Sequence, residues 1–278
     1  MTLCVAWKKD DNIHFASDSR ISYGDKHSDY GLKLIPVPIK IQYPYDRKED
    51  CNQRKFEKTY GLGFTGSFTG AYIIREFLMI VLQRLQFVPD KVDVSFNQIC
   101  KIINKFYTHL VHEIKKDLVD DHSIDFFLSG FCPNEKVLKF AKFYIDYGPE
   151  YKDFIPKCRI YNDKIFLKAI GTGEEDFFKF FNQNPNKNYD SRVITSIKQL
   201  IKSQIVKSVG GNIQYAKFNK NNDFETYGII ENQYNEHGLI EVKHLIAGIN
   251  MNGDEFEQKI DELYISGSYL TDVSEQIK

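Results

Sequence analysis

Apolar positions along this chain switch between a spacing of two and a spacing of three to four, and the switches mark out its elements. Thr2 to Lys8 and Ile13 to Asp18 are rich in β-branched and aromatic residues and flank the charged turn Lys9-Asp10-Asp11-Asn12, which predicts a hairpin at the start. Leu32 to Tyr43 reads as extended. Pro36 and Pro38 each remove a ladder donor, so an edge strand or a bulge is expected there. Tyr43 to Lys58 is polar and reads as a long surface loop, followed by a strand over Thr59 to Thr65. After Gly66-Ser67 the spacing turns helical through Phe68, Ile73, Ile74, Phe77, Leu78, Val81, Leu82 and Leu85 and stops at Pro89. A second long helix is predicted over Ser95 to Leu118, where Ile99, Ile102, Ile103, Phe106, Leu110 and Ile114 recur at helical spacing.

The texture then returns to strands at Ile124 to Phe131, Val137 to Tyr147, Arg159 to Tyr161 and Lys164 to Ile170. Glu174 to Asn182 and Ser191 to Ser208 read as helices, the second closed by Gly210-Gly211. Strands resume at Ile213 to Phe218, Glu225 to Ile230 and Leu239 to Ile249, and a weak helix and tail follow Asn252-Gly253. Helices that arrive in pairs between runs of strands do not fit βαβ alternation. They predict an α+β fold, two antiparallel sheets face to face with a helix pair outside each, a four-layer αββα sandwich. No Pro, Gly or Ser-rich linker divides the chain, so residues 1–278 are expected to form a single domain.

Composition narrows the field. Apolar residues make up 42% of the 278, with 22 Phe and 17 Tyr, which excludes a disordered chain. Lys plus Arg number 37 against 38 Asp plus Glu, so there is no cationic excess to hold nucleic acid. The five cysteines, Cys4, Cys51, Cys100, Cys132 and Cys158, contain no CxxC pair and fit neither a disulfide framework nor a zinc ribbon. Leu3 to Trp7 is too short for a signal-peptide core and Phe77 to Leu82 too short to span a bilayer, so a cytoplasmic chain with no membrane partner is expected.

Candidate chemistry begins at Thr2. Its side chain is small enough for Met1 to be removed, which would leave a hydroxyl and a free amine on one residue. An α-amine with a pKa near ~8 can act as base for that hydroxyl. The hairpin would return Asp18 to the neighbourhood of Thr2, and Lys33 starts the next strand. A buried Lys beside the hydroxyl would favour the alkoxide, with Asp18 keeping the Lys charged. Phe64-Thr65-Gly66-Ser67 runs from a strand into a helix and would offer a backbone N–H to an oxyanion; Gly171-Thr172-Gly173 repeats the arrangement.

Together, Thr2-Leu3-Cys4-Val5-Ala6, Phe15-Ala16-Ser17-Asp18-Ser19-Arg20, Lys33, Gly63-Phe64-Thr65-Gly66-Ser67, Ala169-Ile170-Gly171-Thr172-Gly173 and Val209-Gly210-Gly211-Asn212-Ile213 resemble a proteasome β-type N-terminal-nucleophile (Ntn) hydrolase. The resemblance covers roughly residues 2 to 218 and points to the bacterial ancestral β-subunit-like (Anbu-type) homologues. It implies a threonine peptidase with Thr2 as nucleophile and base, Lys33 as activating charge, Asp18 as partner of Lys33 and Gly66 as oxyanion donor. It further implies that Ser22 lines the edge where a substrate strand pairs, that Phe64 sits by the pocket for the side chain before the cut, and that Thr172 supports the amine. No cofactor is implied. The implied partners are a peptide or unfolded protein as substrate, further copies of the chain in a ring or spiral, and an unfoldase.

The chain departs from the pattern in three places. Where the family places an Asp on the fourth helix, Ser203 to Ser208 has no carboxylate, and Ser208 is the substitute at hand. Residues 43–58 read as an insertion and the stretch after 252 as a C-terminal extension. Lys40 competes with Lys33 as the activating Lys, with spacing from Asp18 favouring Lys33. Other readings carry less. His109 and His112 lie three apart with Glu113 beside them, a spacing that could bind a metal, but no third ligand is suggested, and a solvated helix face is preferred. Gly61, Gly63 and Gly66 form G-x-G-x-x-G without the βαβ crossover a dinucleotide site needs. Cys4 shares the face of Thr2 and is either a thiol nucleophile or a small core residue. Two rival functions stay open: an Ntn amidohydrolase acting on a small amide, and a catalytically silent self-assembling scaffold.

Overall fold

The computed structural model describes residues 2–23, 26–43, 54–88, 94–118, 124–148, 154–234, 240–251, 259–260, 263–264 and 269–270. The chain opens on the hairpin β1 (Leu3–Lys9) and β2 (Asn12–Asp18). Asp10 and Asp11 turn it with φ of 48° and 61°, two consecutive left-handed residues whose twist matches that of the flanking strands. A short hairpin of β3 (Ile21–Tyr23) and β4 (Lys26–Ser28) follows. Then come β5 (Leu34–Gln42), β6 (Arg54–Gly66), α1 (Phe68–Val81), β7 (Leu85–Gln86) and α2 (Phe96–Leu118). Strands β8 (Ile124–Phe131), β9 (Leu138–Tyr147), β10 (Phe154–Tyr161) and β11 (Phe166–Gly171) lead to α3 (Glu174–Gln183) and α4 (Tyr189–Ser203). Beyond these lie β12 (Ile213–Phe218), β13 (Phe224–Tyr234), β14 (Ile240–Ile246), β15 (Ile249–Asn250), β16 (Lys259–Ile260), β17 (Leu263–Tyr264) and β18 (Tyr269–Leu270).

Two large sheets result. One has the order β11-β1-β2-β12-β13-β14-β15, with β18 also paired to β13; the other has the order β10-β9-β8-β6-β5-β7. Between the sheets pack Cys4, Ala6, Phe15, Leu34, Phe127, Phe140 and their neighbours. Leu3, Val5 and Trp7 point the other way, against Phe177, Val193, Ile197 and Leu200 of α3 and α4. Strand alternation therefore sends β1 into two cores at once, and its residues 3 to 7 are fully buried. On the outer face of the second sheet, Val37, Ile39 and Phe126 meet Ile74 and Leu78 of α1 and Ile99, Ile103 and Tyr107 of α2. The order of layers is helices, sheet, sheet, helices, the αββα sandwich expected from the element pattern.

Local differences have physical reasons. Prolines 36 and 38 lie on β5, which pairs with β6 along its length but with β7 only at Ile41 and Gln42. The edge therefore lies where the two missing donors cost nothing, and the register also shifts between Ile41 and Gln42. The strand expected after the loop over 43–58 starts earlier than polarity suggested. Residues 44–53 lie outside the described residues, while Arg54 to Lys58 already belong to β6, where Phe56 pairs with Ile41 and Glu57 with Lys40. Leu85 is in a strand rather than at the end of α1, and β10 begins at Phe154 rather than Arg159. Helix α4 stops at Ser203 instead of continuing to Ser208: Gln204 takes a left-handed φ of 51° and closes it five residues before Ser208. The weak helix expected after Asn252 falls mostly outside the described residues, and its described remainder forms two-residue strands.

The glycines of the G-x-G-x-x-G match serve the contact between sheets. A Cβ on Gly61 would fall 2.3 Å from the Phe224 ring, and one on Gly63 would fall 2.6 Å from the Cys4 sulfur. Both positions are on β6, so the match marks close sheet packing.

Candidate active site

The site is built around the carboxylate of Asp18, at the end of β2 and fully buried. Its Oδ1 accepts from the Leu3 amide at 3.0 Å and from the Lys33 ammonium at 2.7 Å. Its Oδ2 accepts from the amides of Arg20 at 3.1 Å and Gly210 at 3.0 Å. A buried carboxylate is tolerable only with such saturation. Because one oxygen serves both Leu3 and Lys33, the ammonium is held within a residue of Thr2.

Lys33 is 1% exposed. Burial pushes its pKa below the usual lysine range, and the facing Asp18 opposes that shift. Its backbone amide donates to Gln214 Oε1 at 3.0 Å, while Gln214 Nε2 donates to the carbonyls of Gly31 and Ala247. Gln214, on β12, thus fixes the segment that delivers Lys33. The competing Lys40 is paired with Glu57 at 3.3 Å on the outer part of β5 and does not reach Asp18.

Thr2 is itself buried, and its hydroxyl Oγ1 has no hydrogen-bond partner among the described residues. A buried unbonded hydroxyl is uncommon and calls for an explanation. The backbone around it is tightly specified: Ser17 Oγ donates to the Leu3 carbonyl at 2.7 Å, and Leu3 pairs with Gly171 across to β11. Gly171 has φ +100°, and a Cβ there would come 1.8 Å from the Thr2 carbonyl oxygen. Beside it, Thr172 Oγ1 and Ser208 Oγ are 2.8 Å apart, a hydroxyl pair standing where a carboxylate would otherwise be sought.

Gly66 ends β6 with φ +99° ahead of α1. Phe64 lies on β6 in the core beneath α1, its amide donating to the Lys33 carbonyl and its ring edge-on to Tyr72 at 5.9 Å. Ser22 lies on β3, paired on one side with His27 of β4; its hydroxyl is also buried without a hydrogen-bond partner among the described residues. Cys4 shares the inter-sheet core, where burial pushes its thiol well above the usual range, which removes the thiolate a Cys nucleophile needs. His112 packs edge-on against Phe154, with Nδ1 at 2.6 Å from the Thr108 carbonyl.

Several residues of the site carry no assigned role in the sequence reading. Arg20 forks onto Asp29, Nε to Oδ1 at 2.7 Å and Nη2 to Oδ2 at 3.1 Å, while Nη1 donates to Gln204 Oε1 and the Lys207 carbonyl. It ties the end of β2 to the turn that carries Ser208. Gly210 leaves room for that fork, since a Cβ there would lie 2.2 Å from the Arg20 guanidinium carbon and displace it. The Asp18-Ser19-Arg20 and Gly210-Gly211 motifs carried that signal, whereas Gln214 and Asp29 stand out only once the chain is folded. Between Arg20, Ser22, Lys26, His27, Gln204, Lys207 and Ser208 opens a cleft of about 420 Å³.

Layers and sheet order are those of the Ntn-hydrolase fold of the proteasome β-subunit type. Within that class the chain is similar to Anbu, the ancestral β-subunit. It aligns with the Yersinia bercovieri structure at 16% identity and a TM-score of 0.52, over 78% of this chain and 81% of that one. The Pseudomonas aeruginosa Anbu complex, a helical assembly, aligns at 16% identity and a TM-score of 0.53, over 81% and 86%. An Anbu mutant from Hyphomicrobium sp. aligns at 14% identity and a TM-score of 0.52, over 89% and 88%. At these identities the likeness shows the fold. No family model matches the sequence, and no curated protein matches it.

Proposed function

We propose that the chain is a proteasome-like threonine peptidase, a single Ntn-hydrolase domain acting through Thr2 once Met1 has been removed. One observation carries the reading: the buried Thr2 hydroxyl without a hydrogen-bond partner among the described residues, next to a Lys33–Asp18 pair sealed from solvent. Nothing in sheet packing requires a lysine there, and a buried ion pair contributes little net stability. An activated nucleophile has a use for such a charge beside it.

In this reading the Thr2 oxygen attacks the substrate carbonyl carbon and its proton passes to the Thr2 α-amine. The Lys33 charge stabilises the developing alkoxide, and the Gly66 amide donates to the oxyanion. Collapse of the tetrahedral intermediate breaks the C–N bond; the α-amine returns the proton to the leaving nitrogen and an ester remains on Thr2. Water, deprotonated by the same amine, then cleaves the ester and restores the hydroxyl. The Thr172 and Ser208 hydroxyls hold the amine in place of the missing carboxylate. Substrate enters extended beside Ser22, on the edge of β3 that faces away from β4.

The reading extends to a cytoplasmic, self-associating chain. Support for association comes from the helical assembly formed by the Pseudomonas aeruginosa relative and from Ile73, Phe77 and Ile80, apolar and exposed on α1. Among the described residues, no helix is long and apolar enough to cross a membrane. The test is peptide hydrolysis by the unmodified chain and by Thr2→Ala. Cleavage that disappears in Thr2→Ala, with circular dichroism and oligomer size unchanged, supports the reading; cleavage that persists in the variant overturns it.

A further inference from the structure

We infer that the cleft beside Ser208 is a carboxylate subsite, so that the site selects acidic peptides; this rests on the peptidase reading of Thr2. Among the described residues, the cleft is lined by Arg20, Ser22, Lys26, His27, Gln204, Lys207 and Ser208, none of them acidic. Arg20, the lining guanidinium, is taken up by Asp29, whose carboxyl it holds below the usual range. That pair cancels its own charge. Lys26 and Lys207 carry no ion pair among the described residues and stand exposed at the rim. The described lining therefore keeps a net positive charge in a chain whose formal charge is -1, so the sign is local.

A second observation points the same way. Ser22 contributes a buried hydroxyl with no hydrogen-bond partner among the described residues. A hydroxyl and two ammonium groups around one concavity suit an anion that accepts several hydrogen bonds, which is a carboxylate's chemistry. The cleft also shares Ser208 with the hydroxyl pair at Thr172, one residue from Gly171 and so beside Thr2. A peptide bound for cleavage would pass its flanking side chains over these cations. The carboxylate is either an Asp or Glu side chain or the free end of a peptide.

The experiment measures binding rather than turnover. A fluorescent peptide carrying Glu, and its Gln isostere, each with a free or an amidated C-terminus, are titrated against the full chain bearing Thr2→Ala, with anisotropy as readout. Two charges at the rim are expected to give about fivefold to tenfold tighter binding of the carboxylate-bearing peptides, shrinking with salt. The preference should vanish when Lys26→Gln and Lys207→Gln are added. A preference that follows Glu against Gln assigns the side chain; one that follows amidation assigns the chain end. Equal binding of all four peptides, or a preference that survives loss of both lysines, overturns the inference. Hydrolysis of the Glu and the Gln peptides by the unmodified chain is scored separately. Preference without hydrolysis retires the Thr2 chemistry and leaves the cleft, whereas hydrolysis without preference does the reverse.

Discussion

Two turns of this molecule look alike and are used differently. At each, a strand ends on a glycine with φ near +100°, Gly66 after β6 and Gly171 after β11, and a helix starts within three residues. At the first turn, Ser67 is the N-cap of α1 and its hydroxyl accepts from the Gly70 amide at 3.2 Å. At the second, Gly173 caps α3 without a side-chain hydrogen bond, and the available hydroxyl, on Thr172, is turned to Ser208. Helix α3 instead begins with Glu174, Glu175 and Asp176, whose charges suit a helix N-terminus. One turn spends its hydroxyl on its own helix. The other turns it to Ser208 across the chain, leaving the helix end without a side-chain cap.

The sharpest test of the contrast is the pair of alanine variants. Gly171→Ala would drive a Cβ into the Thr2 carbonyl and is expected to cost about 4 kcal/mol in urea denaturation, with loss of any hydrolysis. Gly66→Ala, at φ +99°, carries a backbone penalty of about 1–2 kcal/mol. Equal costs at the two glycines would break the comparison. Next in size, Asp18→Asn keeps the shape but leaves Lys33 buried without its counter-charge, and about 3 kcal/mol should be lost.

The far end of β1 supplies a control that the site does not share. There Trp7 stacks on His14 at 5.2 Å, the Trp7 indole donates to Asp190 at 2.8 Å, and His14 meets Tyr215 at 2.6 Å. Burial lowers the His14 pKa to about 4 from its ordinary 6.5, Asp190 opposing. Between these values the unfolded chain binds the extra proton. Stability is therefore fully present above pH 6.5 and falls by roughly 2–3 kcal/mol as pH drops toward 4. His14→Phe should flatten that slope in denaturation curves taken across the window. The smallest effect separates the two hydroxyls. Ser67→Ala should cost about 1 kcal/mol of stability without lowering turnover per folded molecule. Thr172→Val should leave stability within about 0.5 kcal/mol and lower kcat.

Strands and helices with a clean period were legible from residue type alone. The β1–β2 hairpin, α2 and β12 appear within a residue or two of their expected bounds because each buries a continuous apolar face. Asp18 and Lys33 were legible for a different reason: charged residues at the ends of buried strands must find each other. The end of α4 was missed because Gln204, a good helix former, takes the left-handed position that a glycine was expected to hold. The start of β6 was missed because Arg54 to Lys58 is too polar to look like a strand, yet it pairs with the proline-bearing β5. Arg20 and Gln214 went unassigned because their partners, Asp29, Gln204, Gly31 and Ala247, come from segments that only folding brings near.

The central claim is that Thr2 is a nucleophile with a free amine. It is tested most directly by the mass of the purified chain after treatment with a peptide epoxyketone, which closes a ring on an N-terminal hydroxyl and amine together. The account predicts a chain that has lost Met1 and gained one inhibitor, mapped by fragmentation to Thr2. A chain that keeps Met1 and stays unmodified, or one labelled at Cys4, would contradict it.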